Sequence, residues 1–588
     1  MCGIVGYIGK ERAIPKILNS LKFLEYRGYD SSGIAYVKNN KVNIIKEVGK
    51  IKALENILDI NIDSKIGLGH TRWATHGGPS VKNSHPHKVG KFTVVHNGII
   101  ENYLEIKNEL LKNNIEFKSD TDTEVIPALL DFYYRSDKNI LSVIKKTINR
   151  IKGSYAVGII CEDDINHLYA FRCGSPLIVA KDDSGYYIAS DVPAILSFTN
   201  KYIILEENEI AVLESNRCEF YNLNLNKIKK EIKVFEGTYE TIMLNGYDHY
   251  MLKEIHEEGK VFLDTLNYYV KDNSFKDTMI NLKKYKRIHI VGCGSAYYVG
   301  LIGEYLISEF ANIEVTCEVA SEYRYKKVFY NDSTLVIIIS QSGETADSLA
   351  ALRMAKENHV DTLAIVNVVG SSISREADYT LYVKAGPEIA VATTKAFLAQ
   401  ATLLSLLAIK LSGKLELLKE LNGIENKIEY LLNLDYRDYA KEIYNHDNVF
   451  YIGRLIDYAL CQEGALKLKE TSYINALAIS SGELKHGTIS LINDNTRVVG
   501  ICTKKEIMSK TISNLKEIKS RGAYVIFITN EDIEDDFYDK KIIIPKVHDI
   551  IEPILTVIPL QLIAYNVAKY RGCDIDKPRN LAKSVTVE

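Results

Sequence analysis

Neither charge is in excess in this sequence: 73 lysines and arginines stand against 76 aspartates and glutamates, for a net charge of -3. They are interspersed, with no basic stripe of the kind a polyanion requires, so nucleic acid is not an expected partner. Long apolar runs are missing as well. The greasiest segment, 396–411, contains Gln400 and Lys410 and falls short of the roughly 20 residues that span a bilayer, so no membrane association is expected. The opening Met1-Cys2-Gly3-Ile4-Val5-Gly6 has no basic patch followed by a long apolar stretch, the mark of a secretory signal; a cytoplasmic protein is expected. The nine cysteines, at 2, 161, 173, 218, 293, 317, 461, 502 and 573, show no C-x-x-C and no paired Cys/His spacing. Neither a disulfide framework nor a zinc site fits that scatter.

What is present is a large globular chain. Its 588 residues exceed what one core serves, and 46% hydrophobic with 25% charged residues is an ordinary soluble balance. Residues 1–235 alternate short β-rich runs, such as 91–96, with turn signals and a few amphipathic helices, as expected of an α+β domain. The polar stretch 245–258 marks a linker, taken as 236–268. Beyond it, strands that are apolar throughout, such as 334–339 and 362–366, alternate with helical patterns, which predicts a doubly wound parallel sheet covered on both faces. This α/β unit repeats: 287–292 has its counterpart in 449–453, 335–339 in 498–502 and 363–367 in 526–530, at offsets of about 161 to 163 residues. Two copies are therefore expected, at 269–422 and 430–572, followed by a tail, 573–588. After the matching strand the first copy has Ser340-Gln341-Ser342-Gly343-Glu344-Thr345, a ring of small donors; the second has Thr503-Lys504-Lys505-Glu506.

A cysteine directly after the initiator Met gains meaning from four other segments. If Met1 is trimmed, Cys2 carries a free α-amine of pKa about 8, a base beside its own thiol. The segments 27–31 (RGYDS), 70–77 (HTRWATHG), 96–102 (HNGIIEN) and 119–124 (SDTDTE), taken with Cys2, resemble the N-terminal-nucleophile (Ntn) glutamine amidotransferases. Hydrolysis of an amide creates an oxyanion, and an Asn side-chain amide beside a Gly backbone N–H supplies two donors for it; Asn97 and Gly98 take those roles. Free glutamine also requires a cation for its carboxylate and an anion for its ammonium. By the resemblance these are Arg72 and Asp122, with Thr75 and His76 lining the pocket and Arg27 near the nucleophile; Trp73, the one tryptophan, is a bulky planar side chain on the pocket loop and is expected to gate an ammonia tunnel, the alternative being a core or interface tryptophan. Taken alone, Asn97-Gly98 also reads as a hairpin turn.

In the second half, Gly292-Cys293-Gly294-Ser295 lacks the third glycine of a dinucleotide fingerprint, since Tyr297 stands there. With Ser340-Gln341-Ser342-Gly343-Glu344-Thr345 it resembles the phosphate site of sugar isomerase (SIS) domains, expected to use Ser295, Ser340, Gln341, Ser342, Thr345 and Thr393. Glu463, Lys467 and Glu470 share one helical face, a pattern that is ordinarily a solvated salt-bridge stripe. Together with Ser481-Gly482-Glu483-Leu484-Lys485-His486-Gly487 and the ending from Asp576 to Glu588, however, the whole chain resembles the isomerising glutamine:fructose-6-phosphate aminotransferases.

That resemblance implies two substrates, L-glutamine and fructose 6-phosphate, and no cofactor. Lys583 would form a Schiff base with the sugar, His486 would open its ring, Glu470 would move the proton between C1 and C2, and Glu463 and Lys467 would support them. It also implies a homodimer in which His486 reaches the neighbour's sugar site. Ala296, Thr393 and Thr488 depart from the family's usual residues, and Ala296 removes one possible phosphate hydroxyl. Two other readings compete. A different Ntn amidotransferase would need an acidic pyrophosphate loop, which is not seen, and a sugar-phosphate-sensing SIS protein would need no acid, base and amine.

Overall fold

The computed structural model describes residues 2–74, 76–235 and 239–586. Two compact units emerge, 1–243 with 582–588, and 244–581.

In the first unit an eight-stranded and a seven-stranded sheet, both antiparallel, are stacked. The strand Gly3–Gly9 shows why. Its even residues Ile4 and Ile8 enter a core shared with Leu68, Val95, Ile160 and Leu168 of both sheets, while Val5 and Tyr7 face Ile14, Ile17 and Leu21 of the helix Ala13–Lys22. With a side-chain period of two, a strand apolar on both faces must be covered twice. The second sheet is covered likewise by the helices Val125–Tyr134 and Ile140–Arg150, giving four layers, helix, sheet, sheet, helix. Cys2 lies just before the central strand of the first sheet, and Asn97 and Gly98 lie within Phe92–Ile100 of the second.

The second unit holds two parallel five-stranded sheets of one topology. In the first, Arg287–Gly292 lies between Glu314–Val319 and Thr334–Ser340, followed by Asp361–Val366 and Tyr379–Tyr382; in the second, Asn448–Gly453 lies between Asn475–Ser480 and Arg497–Cys502, followed by Tyr524–Thr529 and Lys540–Ile543. The offset stays at 161 to 163 residues. One face of each sheet is covered separately, by Leu349 and Leu352 in the first copy and by Leu515 and Ile518 in the second. The other faces share one core with the helices Ser295–Ala311, Lys395–Ser412, Ile456–Ser472 and Glu552–Tyr570. Lys395–Ser412 is apolar enough to cross a membrane by composition, but it is buried in this core almost throughout.

Two segments differ from expectation. The stretch read as a linker carries the helices Tyr250–His256 and Glu258–Tyr269, whose Met251, Ile255, Val261, Phe262 and Leu266 enter the core of the second unit. Their apolar residues recur at helical spacing between charges, which hides the stripe in a composition count. Of the tail, 573–581 groups with the second unit and 582–588 with the first.

Candidate functional site

The nucleophile end of the first unit is assembled from two strand ends and the interior of a third strand. Cys2 Sγ accepts from the backbone N–H of Trp73 at 3.4 Å, and the side-chain amide of Asn97 donates to the Cys2 carbonyl at 2.9 Å. Desolvation pushes the half-buried Cys2 thiol up, while the Trp73 N–H and the nearby Arg72 guanidinium oppose that rise; a thiol drawn away from water needs such donors to become a thiolate. Gly98 sits inside its strand at φ +121°, where a Cβ would come within 1.9 Å of the Ser154 carbonyl oxygen. The Asn97-Gly98 pair is therefore no hairpin turn. The positive φ turns one residue of the ladder out of its usual orientation, and only glycine fits.

Arg72 ends the strand Ile66–Arg72 and is buried. Its Nη2 donates to the carbonyls of His76 at 2.6 Å and Gly77 at 2.8 Å, while Nη1 has no partner among the described residues. A buried guanidinium nitrogen left open in this way suits a ligand carboxylate. Asp122, also buried, accepts from the Ile100 N–H at 2.8 Å, which ties it to the strand that carries Asn97. His76 packs edge-on against Tyr103. Thr75 lies outside the described residues. Arg27 Nη1 donates to Asp191 at 2.5 Å and to the Ser190 carbonyl at 3.2 Å, and Ser190 Oγ in turn accepts from the Ile4 N–H. Arg27 thus anchors the strand that begins beside Cys2. Two contributors lie in the segments that carry the resemblance but were given no role in the sequence reading: Asp30, which accepts from the Ala74 N–H at 2.8 Å, and His70, which faces Asn97.

In the second unit the loop 340–345 is preformed. Ser340 Oγ lies 3.0 Å from Thr345 Oγ1 and accepts from the Gly343 N–H at 3.0 Å; Ser342 Oγ accepts from Glu344 N–H at 3.2 Å. Gly343 has φ +66°, and a Cβ there would fall 2.0 Å from Ser371 Oγ. Gln341 and Ser342 remain half-buried. The loop and the turn at Gly294 follow the adjacent parallel strands Thr334–Ser340 and Arg287–Gly292, so they flank the point where the strand order reverses, a usual ligand crevice. In the second copy the equivalent crevice is closed by the protein's own carboxylate, because Asp457 accepts from both Thr503 N–H at 2.9 Å and Thr503 Oγ1 at 2.6 Å. Thr393 is half-buried one residue before Thr394, the cap of Lys395–Ser412.

Glu463, Lys467 and Glu470 lie on Ile456–Ser472, but their face is not solvated. Glu463 and Lys467 are fully buried; Lys467 Nζ is 2.6 Å from Glu470 and 3.5 Å from Glu463, and Ser295 donates to Glu463 at 3.0 Å. Ser295 is therefore joined to this cluster. Burial raises Glu463 to about 7 against the pull of Lys467, whereas the two carboxylates overcome burial and hold Lys467 above the ordinary lysine range. His486 is exposed in the short turn Glu483–His486. Lys583 lies in the segment that groups with the first unit. No group of three or more His, Cys, Asp or Glu side chains that could hold a metal occurs among the described residues.

Comparison with known proteins agrees with this division. Residues 78–197 match the glutamine amidotransferase domain family, and 281–410 and 442–569 each match the SIS domain family. The fold and these matches define a glutamine amidotransferase joined to a pair of SIS domains. Over its full length the chain is 46% identical to the glutamine–fructose-6-phosphate aminotransferase (isomerizing) of Caldanaerobacter subterraneus and 45% identical to that of Clostridium tetani, each also covered completely. The C-terminal domain of the glucosamine-fructose-6-phosphate aminotransferase of Francisella tularensis is 35% identical, with a TM-score of 0.55, covering 57% of this chain and 99% of that one. The chain belongs to the glutamine–fructose-6-phosphate aminotransferase (isomerizing) family.

Proposed function

We propose that this protein makes glucosamine 6-phosphate from fructose 6-phosphate, with glutamine as the nitrogen source. The observation that carries the proposal is the first-unit site: a half-buried thiol, a side-chain amide and a strand glycine beside it, and a buried guanidinium with one open nitrogen. After removal of Met1, the Cys2 thiolate attacks the glutamine side-chain carbonyl, and Asn97 Nδ2 and the Gly98 N–H stabilise the oxyanion. Arg72 binds the α-carboxylate and Asp122 the α-ammonium, with Thr75 and His76 lining the pocket and Trp73 gating the ammonia released.

In the second unit, Ser340, Gln341, Ser342, Thr345 and Thr393 hold the sugar phosphate. Lys583 forms the imine at C2, His486 opens the ring, and Glu470 carries the proton from C1 to C2. Lys467, held cationic by its two carboxylates, is unsuited to imine formation; with Glu463 it keeps Glu470 in place. Ser295 serves that cluster through Glu463 in addition to flanking the phosphate loop. The exposure of His486 in a single chain favours its use by a partner copy, and hence a homodimer. Free cysteines throughout the described residues suit a cytoplasmic enzyme. The test is direct: the purified protein, given fructose 6-phosphate and glutamine, is expected to yield glucosamine 6-phosphate and glutamate in equal amounts. Glutamate without amino sugar would leave only a glutaminase.

A further inference from the structure

His70 is fully buried on the strand Ile66–Arg72, and no step above uses it. Its Nε2 lies 3.0 Å from the His96 carbonyl oxygen and 3.1 Å from Asn97 Oδ1. A backbone carbonyl only accepts, so Nε2 bears the hydrogen and shares it between the two oxygens. Nδ1 has no partner among the described residues, so a second ring proton would find nothing to bind. Burial, aided by Arg72, pushes the ring down to about 3, which keeps it in this one neutral form. The ring of His85 lies against it at 4.1 Å between centroids and is packed in turn by His87 at 4.8 Å. His85 Nδ1 accepts from the His96 N–H at 3.4 Å. The His70 ring is held on its face as well as at its edge.

The consequence concerns Asn97. The two ends of a side-chain amide have nearly the same shape and differ in donating or accepting, so packing alone does not choose between them. In the observed orientation Oδ1 accepts from His70 and Nδ2 donates to the Cys2 carbonyl at 2.9 Å. Turned over, Nδ2 would meet the His70 N–H and Oδ1 would meet the Cys2 carbonyl, donor against donor and acceptor against acceptor. We propose that His70 is a positioning residue: its Nε2–H fixes the Asn97 amide with the NH₂ toward Cys2, where the oxyanion of the glutaminase reaction forms. His70 gives up no proton at any stage. The proposal rests on the reading of Asn97 as an oxyanion donor.

Glutaminase kinetics on the full-length protein test it with His70→Phe, which keeps the ring volume but not the donor, His70→Gln, whose amide can place an N–H near the position of Nε2, Asn97→Ala, and the double variant His70→Phe/Asn97→Ala. We expect His70→Phe to lower kcat by about 100-fold with KM nearly unchanged, the scale of losing one oxyanion donor, and His70→Gln to recover most of that loss. In the Asn97→Ala background His70→Phe should cost little more, because the amide it orients is gone. Equal losses in both backgrounds, or a well-folded His70→Gln as impaired as Asn97→Ala, would overturn the positioning role alone. If His70→Phe fails to fold, His70→Leu, which also lacks the donor, decides the matter with and without Asn97→Ala: a loss confined to the Asn97 background supports the role, and no loss or an equal loss in both overturns it. A near-normal kcat in Asn97→Ala would instead overturn the oxyanion reading itself, and the proposal with it.

Discussion

Burial pushes the Cys2 thiol up while the Trp73 N–H and Arg72 favour its anion, and the proposed reading gives this one side chain half of the chemistry. Cys2→Ala is expected to lower glutamine hydrolysis at least a thousandfold while isomerisation of fructose 6-phosphate persists, because the loop 340–345 and Glu470 belong to the other unit. The paired measurements are glutamate release and glucose 6-phosphate formation; loss of both would contradict separate chemistries. The lysines present the converse case. Lys467 sits between two carboxylates that keep it charged, which leaves Lys583 as the amine to test. Borohydride reduction in the presence of fructose 6-phosphate should attach one sugar phosphate to Lys583, located by peptide mass. Lys583→Arg should abolish that adduct and lower synthesis by about a thousandfold or more, since a guanidinium does not deprotonate to attack a carbonyl. Near-normal synthesis in that variant would reject the assignment.

At the scale of elements, helix starts carry buried acids whose surroundings set their charge. Glu552, the first residue of Glu552–Tyr570, is fully buried. Burial raises its carboxyl to about 8, Asp457 and Asp549 add to the rise, and Asn530 and Lys504 oppose it. Between the ordinary 4.5 and about 8 the folded protein keeps a proton that the unfolded chain has released. Its contribution to stability is therefore complete below 4.5 and is lost as pH rises through about 8, by at most about 1.4 kcal/mol per pH unit. Glu552→Gln has no proton to lose, so its melting temperature should fall less than that of the wild type between pH 6 and 8.5. Identical pH profiles would mean that Glu552 is already ionised. A different device appears on Ile456–Ser472: had its charged stripe faced water, as i, i+4 spacing ordinarily suggests, it could not join Ser295 to Lys467 in one buried network.

For the whole molecule, the two SIS copies have one topology and unequal loops. The first presents hydroxyls and backbone donors at its strand reversal; the second fills the same place with Asp457. On the proposed reading, one sugar-phosphate site per chain is expected. If His486 is delivered across a two-fold axis, two inactive variants should complement each other. Unfolding and refolding an equimolar mixture of His486→Ala and Glu470→Gln should restore about a quarter of wild-type synthesis, since half of the dimers are mixed and each mixed dimer has one intact site. Activity no higher than that of either variant alone would place His486 in its own chain's site.

Local residue order determined much of this protein. Strand periodicity separated the antiparallel half from the parallel half, the repeat offset announced the paired sheets, and Cys2 with the segments around Arg72, Asn97 and Asp122 announced a glutaminase, because those features depend on residues near one another in the chain. The tertiary structure decided what distant neighbours control. Glu463 and Lys467 are buried because the helix carrying them lies inside a core shared by both copies. Asn97-Gly98 runs through a strand because Gly153–Cys161 pairs with it residue by residue. The supposed linker became two helices because a core was there to receive Met251 and Phe262. The single tautomer of His70 is set by His96 and Asn97, 26 and 27 residues away, and no pattern within its own strand could have shown it.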